Sequence, residues 1–141
     1  MIIKLEIMEK EFVPHEESLE LKELGFNEIC FCYYLYHKKE IRSKELQKIY
    51  SPGLVDMAVT PVSTGNFYAF KAPLYQQAFK WFRKKHNIDG FVQIEPLNKK
   101  YGYVTYDRKK ENYIESERKY TVEEAELECL KKLIEIVKEK K

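Results

Sequence analysis

The stretch ICFCYYLYH, residues 29–37, places two thiols, three phenols and an imidazole in nine positions. These side chains serve metal binding and thiol redox chemistry, so their spacing decides what they can do. Zinc takes about four ligands, and its cysteine pairs stand two to four residues apart in a loop. Cys30 and Cys32 have one residue between them and lie in an aromatic and apolar run that reads as a strand. On a strand Cys30, Cys32, Tyr34 and Tyr36 share one face, while Ile29, Phe31, Tyr33, Leu35 and His37 share the other. The imidazole then points away from the thiols. Cys129 is the remaining cysteine, and His15 and His86 are the remaining histidines. The ligand set falls short, and neighbouring thiols on one strand face have poor disulfide geometry. No metal and no other cofactor is expected. The odd-numbered face is the more apolar and is expected to turn inward, which leaves Tyr34 and Tyr36 as candidate partner contacts if their face is uncovered.

Other chemistry-bearing residues are sparse. Nucleophilic catalysis needs a nucleophile, a base within reach and stabilisation of the oxyanion. The chain contains no Gly-x-Ser-x-Gly elbow and no glycine-rich phosphate loop, so the balance falls against an enzyme. Glu126 falls within the apolar arc Val122, Ala125, Cys129, Leu130, Leu133, Ile136 and Val137 of the last helix. It is expected at the rim, where water reaches it. Two basic–aromatic stretches remain. KWFRKKH puts Lys80, Arg83 and Lys84 on one helix face. NKKYGYVTYDRKK puts Tyr101, Tyr103 and Thr105 on one strand face, with Lys99 and Lys100 at one end and Arg108, Lys109 and Lys110 at the other. Tyrosines on a sheet flanked by cations can stack the bases of a single strand. A tyrosine-rich core face, with charged turns that keep the sheet soluble, accounts for the same residues.

The elements that would carry these residues are legible in part. IIKLEIM alternates as a strand. A helix is expected over about 14–24, with Pro14 at its first position, Glu16 and Glu17 at its positive start and Gly25 as its left-handed stop. Phe26 can then fold back onto Leu21. The segment from Ile41 to Tyr50 suits either a short helix or a returning hairpin strand. Residues 51–66, with two prolines and two glycines, read as a long irregular loop. A second helix is expected over 73–87, again with proline first, and a third over 121–139, opened by a Thr121–Glu124 capping box. Between them FVQIEPL, YGYVTYD and NYIES form strands joined by turns short enough to impose an antiparallel meander. The expected fold class is α+β: an antiparallel sheet, made of the C-terminal meander plus the strand at 28–37, packed against the helices.

Bulk composition agrees. At 141 residues, 44% hydrophobic and 34% charged, the chain has the size and apolar content of a single folded domain, 1–141. Its 25 basic and 23 acidic residues leave a net charge of +2, too balanced for a dedicated duplex-DNA binder. No run approaches the roughly 20 apolar residues of a membrane span. An odd cysteine count without a secretory leader fits a cytoplasmic protein with reduced thiols.

Three separated motifs, LKELGFNEICFCYY, APLYQQAFKWFRKKHNI and YTVEEAELECLKKLIEIVK, carry a resemblance. In that order the chain is similar to a group of small uncharacterised proteins that recur in gut Bacteroidales genomes, their prophages and other mobile elements. The segment from Ile41 to Phe70 fits that pattern least. The resemblance implies a cytoplasmic accessory protein of bacterial or phage origin and supplies no site residues. The leading expectation is a non-catalytic protein-interaction or accessory module of such an element, with self-association as one version. The alternative is single-stranded nucleic-acid binding through Lys99, Lys100, Tyr101, Tyr103 and Arg108.

Overall fold

The computed structural model describes residues 11–37, 47–55 and 67–140; the side chains of 31, 35–37, 47–55 and 67–70 fall outside that description. The strand expected at IIKLEIM and the part of the loop at 56–66 lie outside the described residues. The elements, in order, are α1 (His15–Glu23), β1 (Cys30–His37), β2 (Gln47–Val55), β3 (Phe67–Ala72), α2 (Tyr75–His86), β4 (Ile88–Ile94), β5 (Tyr101–Asp107), β6 (Asn112–Glu115) and α3 (Val122–Glu139). The fold is α+β. The chain forms two compact units, Met1–Leu74 and Tyr75–Lys141.

Each unit contains an antiparallel three-stranded sheet, ordered β2-β1-β3 in the first and β4-β5-β6 in the second. The strand at 28–37 therefore belongs to a sheet separate from the C-terminal meander. It is central there, with both edges occupied: Tyr33 pairs with Ile49 of β2 and with Lys71 of β3. Of the ambiguous segment before Ser51, residues 47–50 open β2, antiparallel to β1, and 41–46 lie outside the described residues. Residues expected to begin the loop continue β2 to Val55 through a bulge, since Cys30 opposes Val55 while Cys32 opposes Tyr50. Pro52 cannot donate to a ladder, and among the described residues β2 lies at an edge of its sheet, where proline is tolerated.

In the first unit, α1 ends as its residues dictate. Gly25 adopts φ of 102°, Phe26 N–H donates to Leu21 O at 2.9 Å and Gly25 N–H donates to Lys22 O at 3.0 Å. This is the Schellman arrangement, with Leu21 and Phe26 both buried. The helix begins one residue later than expected, because Pro14 sits at the cap with extended ψ of 160°. Val13 N–H donates to Pro73 O at 2.8 Å, and Phe12 forms an isolated bridge with Leu74. That bridge holds Leu74 extended, so α2 starts at Tyr75 and Pro73 precedes the helix.

In the second unit, the three expected strands form with hairpin turns, and α3 crosses the β4–β5 face. A methyl group on Gly90 would lie 2.7 Å from Leu133 Cδ1 and 3.0 Å from Cys129 Sγ, which identifies the face that α3 covers. Ile88, Leu130, Leu133 and Val137 are buried in its core. The capping box forms: Thr121 N–H donates to Glu124 Oε1 at 3.1 Å, and Glu124 N–H donates to Thr121 Oγ1 at 3.2 Å. Val122, expected in the apolar arc, is instead exposed at the first turn, while Ile134 joins the core.

Candidate interaction surfaces

The even face of β1 is buried at Cys30, Cys32 and Tyr34, so it is covered at these positions and not open to a partner. On the odd face Tyr33 is half-buried, and the side chains of Phe31, Leu35 and His37 lie outside the description. Cys32, Tyr34, Phe12 and Ala72 form one apolar cluster with Leu19 and Leu74 against it. A tyrosine can enter such a cluster only if its hydroxyl finds a partner. Tyr34 Oη donates to Val13 O at 2.6 Å, an oxygen that also accepts from Ser18 Oγ at 3.1 Å. Its ring meets His15 edge-on at 6.1 Å. Tyr34 is thus a tether between β1 and the start of α1, and it is not available to a partner. The side chain of Tyr36 lies outside the description.

The thiols show no sign of activation. Cys30, Cys32 and Cys129 are buried and form no disulfide. Burial pushes the Cys30 thiol up to about 12 despite the opposing field of Lys71. Burial, with Glu126 nearby, likewise pushes Cys129 up to about 12. Both stay protonated, the inert form. Among the described residues, no three histidine, cysteine or acidic side chains come together as metal ligands. Glu126 is half-buried.

The five residues of the nucleic-acid alternative do not form one surface. Tyr103 and Tyr101 oppose Val92 and Ile94, on the same face as Gly90, so they lie beneath or beside α3. Burial raises the Tyr103 hydroxyl, with Tyr120, Cys129 and Glu128 adding to the effect. Lys99 and Lys100 stand at one end of β5 and Arg108 at the other, with Lys100 and Arg108 about 26 Å apart at ~3.3 Å per residue. Arg108 is already engaged: its Nε and Nη2 donate to the two carboxylate oxygens of Asp89 at 2.7 and 2.9 Å.

Two other features stand out. The first is an apolar end. Leu97, in the β4–β5 turn, is 94% exposed; Ile94 is 48% exposed and Val122 37%. The turn is closed by Glu95 N–H to Lys100 O at 2.7 Å. Ile94 opposes Tyr101, and Tyr101 exchanges two backbone hydrogen bonds with Tyr120, two residues before Val122. Strand pairing and helix start thus bring the three apolar side chains to one end of the sheet. Composition could not have singled them out, because each looked like a core position on its own element.

The second feature is polar and structural. Arg118 reaches Glu95 at 2.8 Å, Gln93 at 2.9 Å and Glu115 at 2.8 Å. Its stem lies over Gly102, where an added methyl would meet Arg118 Cγ and Glu117 O at 2.9 Å. The hydrogen bond from Arg118 holds the Glu95 carboxyl below its usual range. These contacts clamp β4, β5 and β6 together.

No described helix is long and apolar enough to cross a membrane. No protein-family model, curated protein or solved structure matches the chain.

Proposed function

We propose that the chain is a non-catalytic protein-interaction module, an accessory factor of a phage or mobile element as its sequence resemblance implies. It docks through the apolar end of its second unit. The observation that carries this reading is the exposure of Ile94, Leu97 and Val122 at one end of the sheet. Leaving apolar area in water forgoes about 25 cal/mol per Å², a loss that a partner covering the area would recover. The surrounding exposed residues, Lys99, Lys100 and Glu123, form a polar rim of the kind that surrounds an apolar interface centre. The partner this end fits is a protein surface with an apolar centre and mixed charge at its edge, a second copy of the chain included.

The test is affinity capture by the tagged protein from a nuclease-treated Bacteroidales lysate, beside an Ile94→Asp/Leu97→Asp variant, with light scattering of both purified proteins. The expected result is a protein partner, or a concentration-dependent dimer, that is present with the parent and lost with the variant. A protein that remains monomeric and retains nothing, or a variant that retains the same partners, overturns the reading.

A further inference from the structure

The end of the second unit opposite its apolar residues is basic, and two elements distant in sequence build it. Arg108 N–H donates to Asn87 O at 3.1 Å, which sets the β5–β6 turn against the C-terminus of α2. Arg83, Lys84 and Lys85 in the last turn of α2 therefore stand beside Lys109 and Lys110 in the β5–β6 turn, and all are exposed. Among the described residues, none of these five side chains has an ion-pair partner. Of the nearby acids, Glu111 follows Lys110 in the same turn, exposed and without an ion pair among the described residues, which leaves the five cations in excess, and two others are already committed. Asp89 holds Arg108. Asp107 is buried, accepts from the Lys109 and Lys110 backbone at 3.0 and 3.3 Å, and lies 2.7 Å from Lys140 Nζ.

The chain's near-neutral charge conceals this asymmetry. Residues 75–141 carry 16 basic and 12 acidic side chains, a net of +4, whereas 1–74 carry 9 and 11, a net of −2. A helix macrodipole favours cations in the last turn of α2. It gives no reason for a second basic turn to be set beside them, where like charges repel.

The same end offers an aromatic surface. Tyr106 opposes Tyr113 one pair in from the turn, on the face away from Gly90 and α3. Tyr113 is 54% exposed, and Tyr106 is half-buried. An exposed ring bordered by unpaired cations fits bases and phosphates together, and only an unpaired strand can present its bases for stacking. We infer that the basic end of Tyr75–Lys141 binds single-stranded nucleic acid, with Lys84, Lys85, Lys109 and Lys110 on the phosphates and Tyr113 stacked on a base. The site is independent of the apolar end and uses none of Lys99, Lys100, Tyr101, Tyr103 and Arg108.

The test is fluorescence anisotropy of the full chain with a labelled oligothymidylate of roughly a dozen nucleotides. With about four phosphates neutralised, affinity is expected to fall roughly 50-fold between about 50 and 200 mM salt. Tyr113→Ala should weaken binding by about 5- to 150-fold. Lys84→Glu/Lys109→Glu/Lys110→Glu should weaken it at least about tenfold at low salt, while Lys99→Glu/Lys100→Glu, the same kind of change at the opposite end, should leave it within about twofold. The substituted side chains are exposed, and circular dichroism checks that each variant folds. Absence of binding at about 50 mM salt overturns the inference, as does equal loss from the Lys99/Lys100 variant. If Tyr113→Ala binds like the parent and heparin competes as well as the oligonucleotide, the surface is a general polyanion patch and the nucleic-acid assignment falls.

Discussion

Ionising any of the three cysteines would place a thiolate in the protein interior. For Cys30 and Cys129 the folded state holds the proton up to about 12, against an ordinary 9.0. A group whose pKa is raised by folding contributes its full stability below the unfolded value and loses it as pH climbs toward the folded one. Stability is therefore expected to decline from pH 9 toward 12, measured as a falling urea midpoint, with a smaller decline in Cys30→Ala/Cys129→Ala. At pH 8 the native protein should react with Ellman's reagent only as fast as it opens, and all three thiols should react at once in urea. Rapid reaction of a thiol in the native state would contradict the burial argument. Residue types and spacing argue against zinc at these thiols, because the ligand set falls short. They do not show that the even face of β1 is covered. Counting apolar side chains favoured the odd face, but cysteine packs as a small hydrophobe. Tyr34 also enters the interior once Val13 supplies an acceptor. The partner for that hydroxyl is 21 residues away in sequence, so no local pattern announces it.

At the scale of elements, local signals held, the short-turn meander of β4, β5 and β6 included, whereas the sheet that β1 joins was not legible. The end of α1 at Gly25 and the Thr121–Glu124 box are written within a few residues, and both form. Partnering of β1 depends on β2 and β3, and nothing inside ICFCYYLYH distinguishes them from the later meander. Packing of α3 on the second sheet depends on a glycine whose role is likewise visible only in three dimensions. Gly90 lets Leu133 and Cys129 approach the strand, and Leu133 is fully buried with little room to move. Gly90→Ala should therefore destabilise the protein by about 1–3 kcal/mol through overpacking. Leu133→Ala alone should cost about 2–5 kcal/mol by leaving a cavity. The two should be less than additive, because the new methyl occupies part of that cavity. Urea denaturation of the parent, both single variants and the double variant gives the coupling. An additive cycle would mean that α3 does not sit on Gly90 as described.

At the scale of the molecule, the boundary between the units falls at Leu74 and Tyr75, where an extended residue passes directly into α2. A boundary of that kind carries no glycine-, serine- or proline-rich linker, so composition presents one continuous domain. The second unit has what an independent fold requires. Its strands are consecutive in the chain, and α3 supplies Leu130, Leu133 and Val137 to a buried core that includes Ile88. The Arg118 cluster fastens β4 to β6 without help from residues before Tyr75. Domains of about 55–65 residues can fold alone without disulfides or metals, and 75–141 is of that order. Expressed by itself, this segment should show helical and sheet circular dichroism and a cooperative urea transition with a slope of roughly 1 kcal/mol/M. A shallow, uncooperative transition would mean that its core is completed by residues of the first unit, and the chain would then fold as one domain. A cooperative fragment that also keeps the affinity of the full chain for oligothymidylate would place both the stability and the basic surface within these residues. Local β-hairpins and adjacent helices, with few distant pairings, are the arrangement that allows such a segment to fold without the rest.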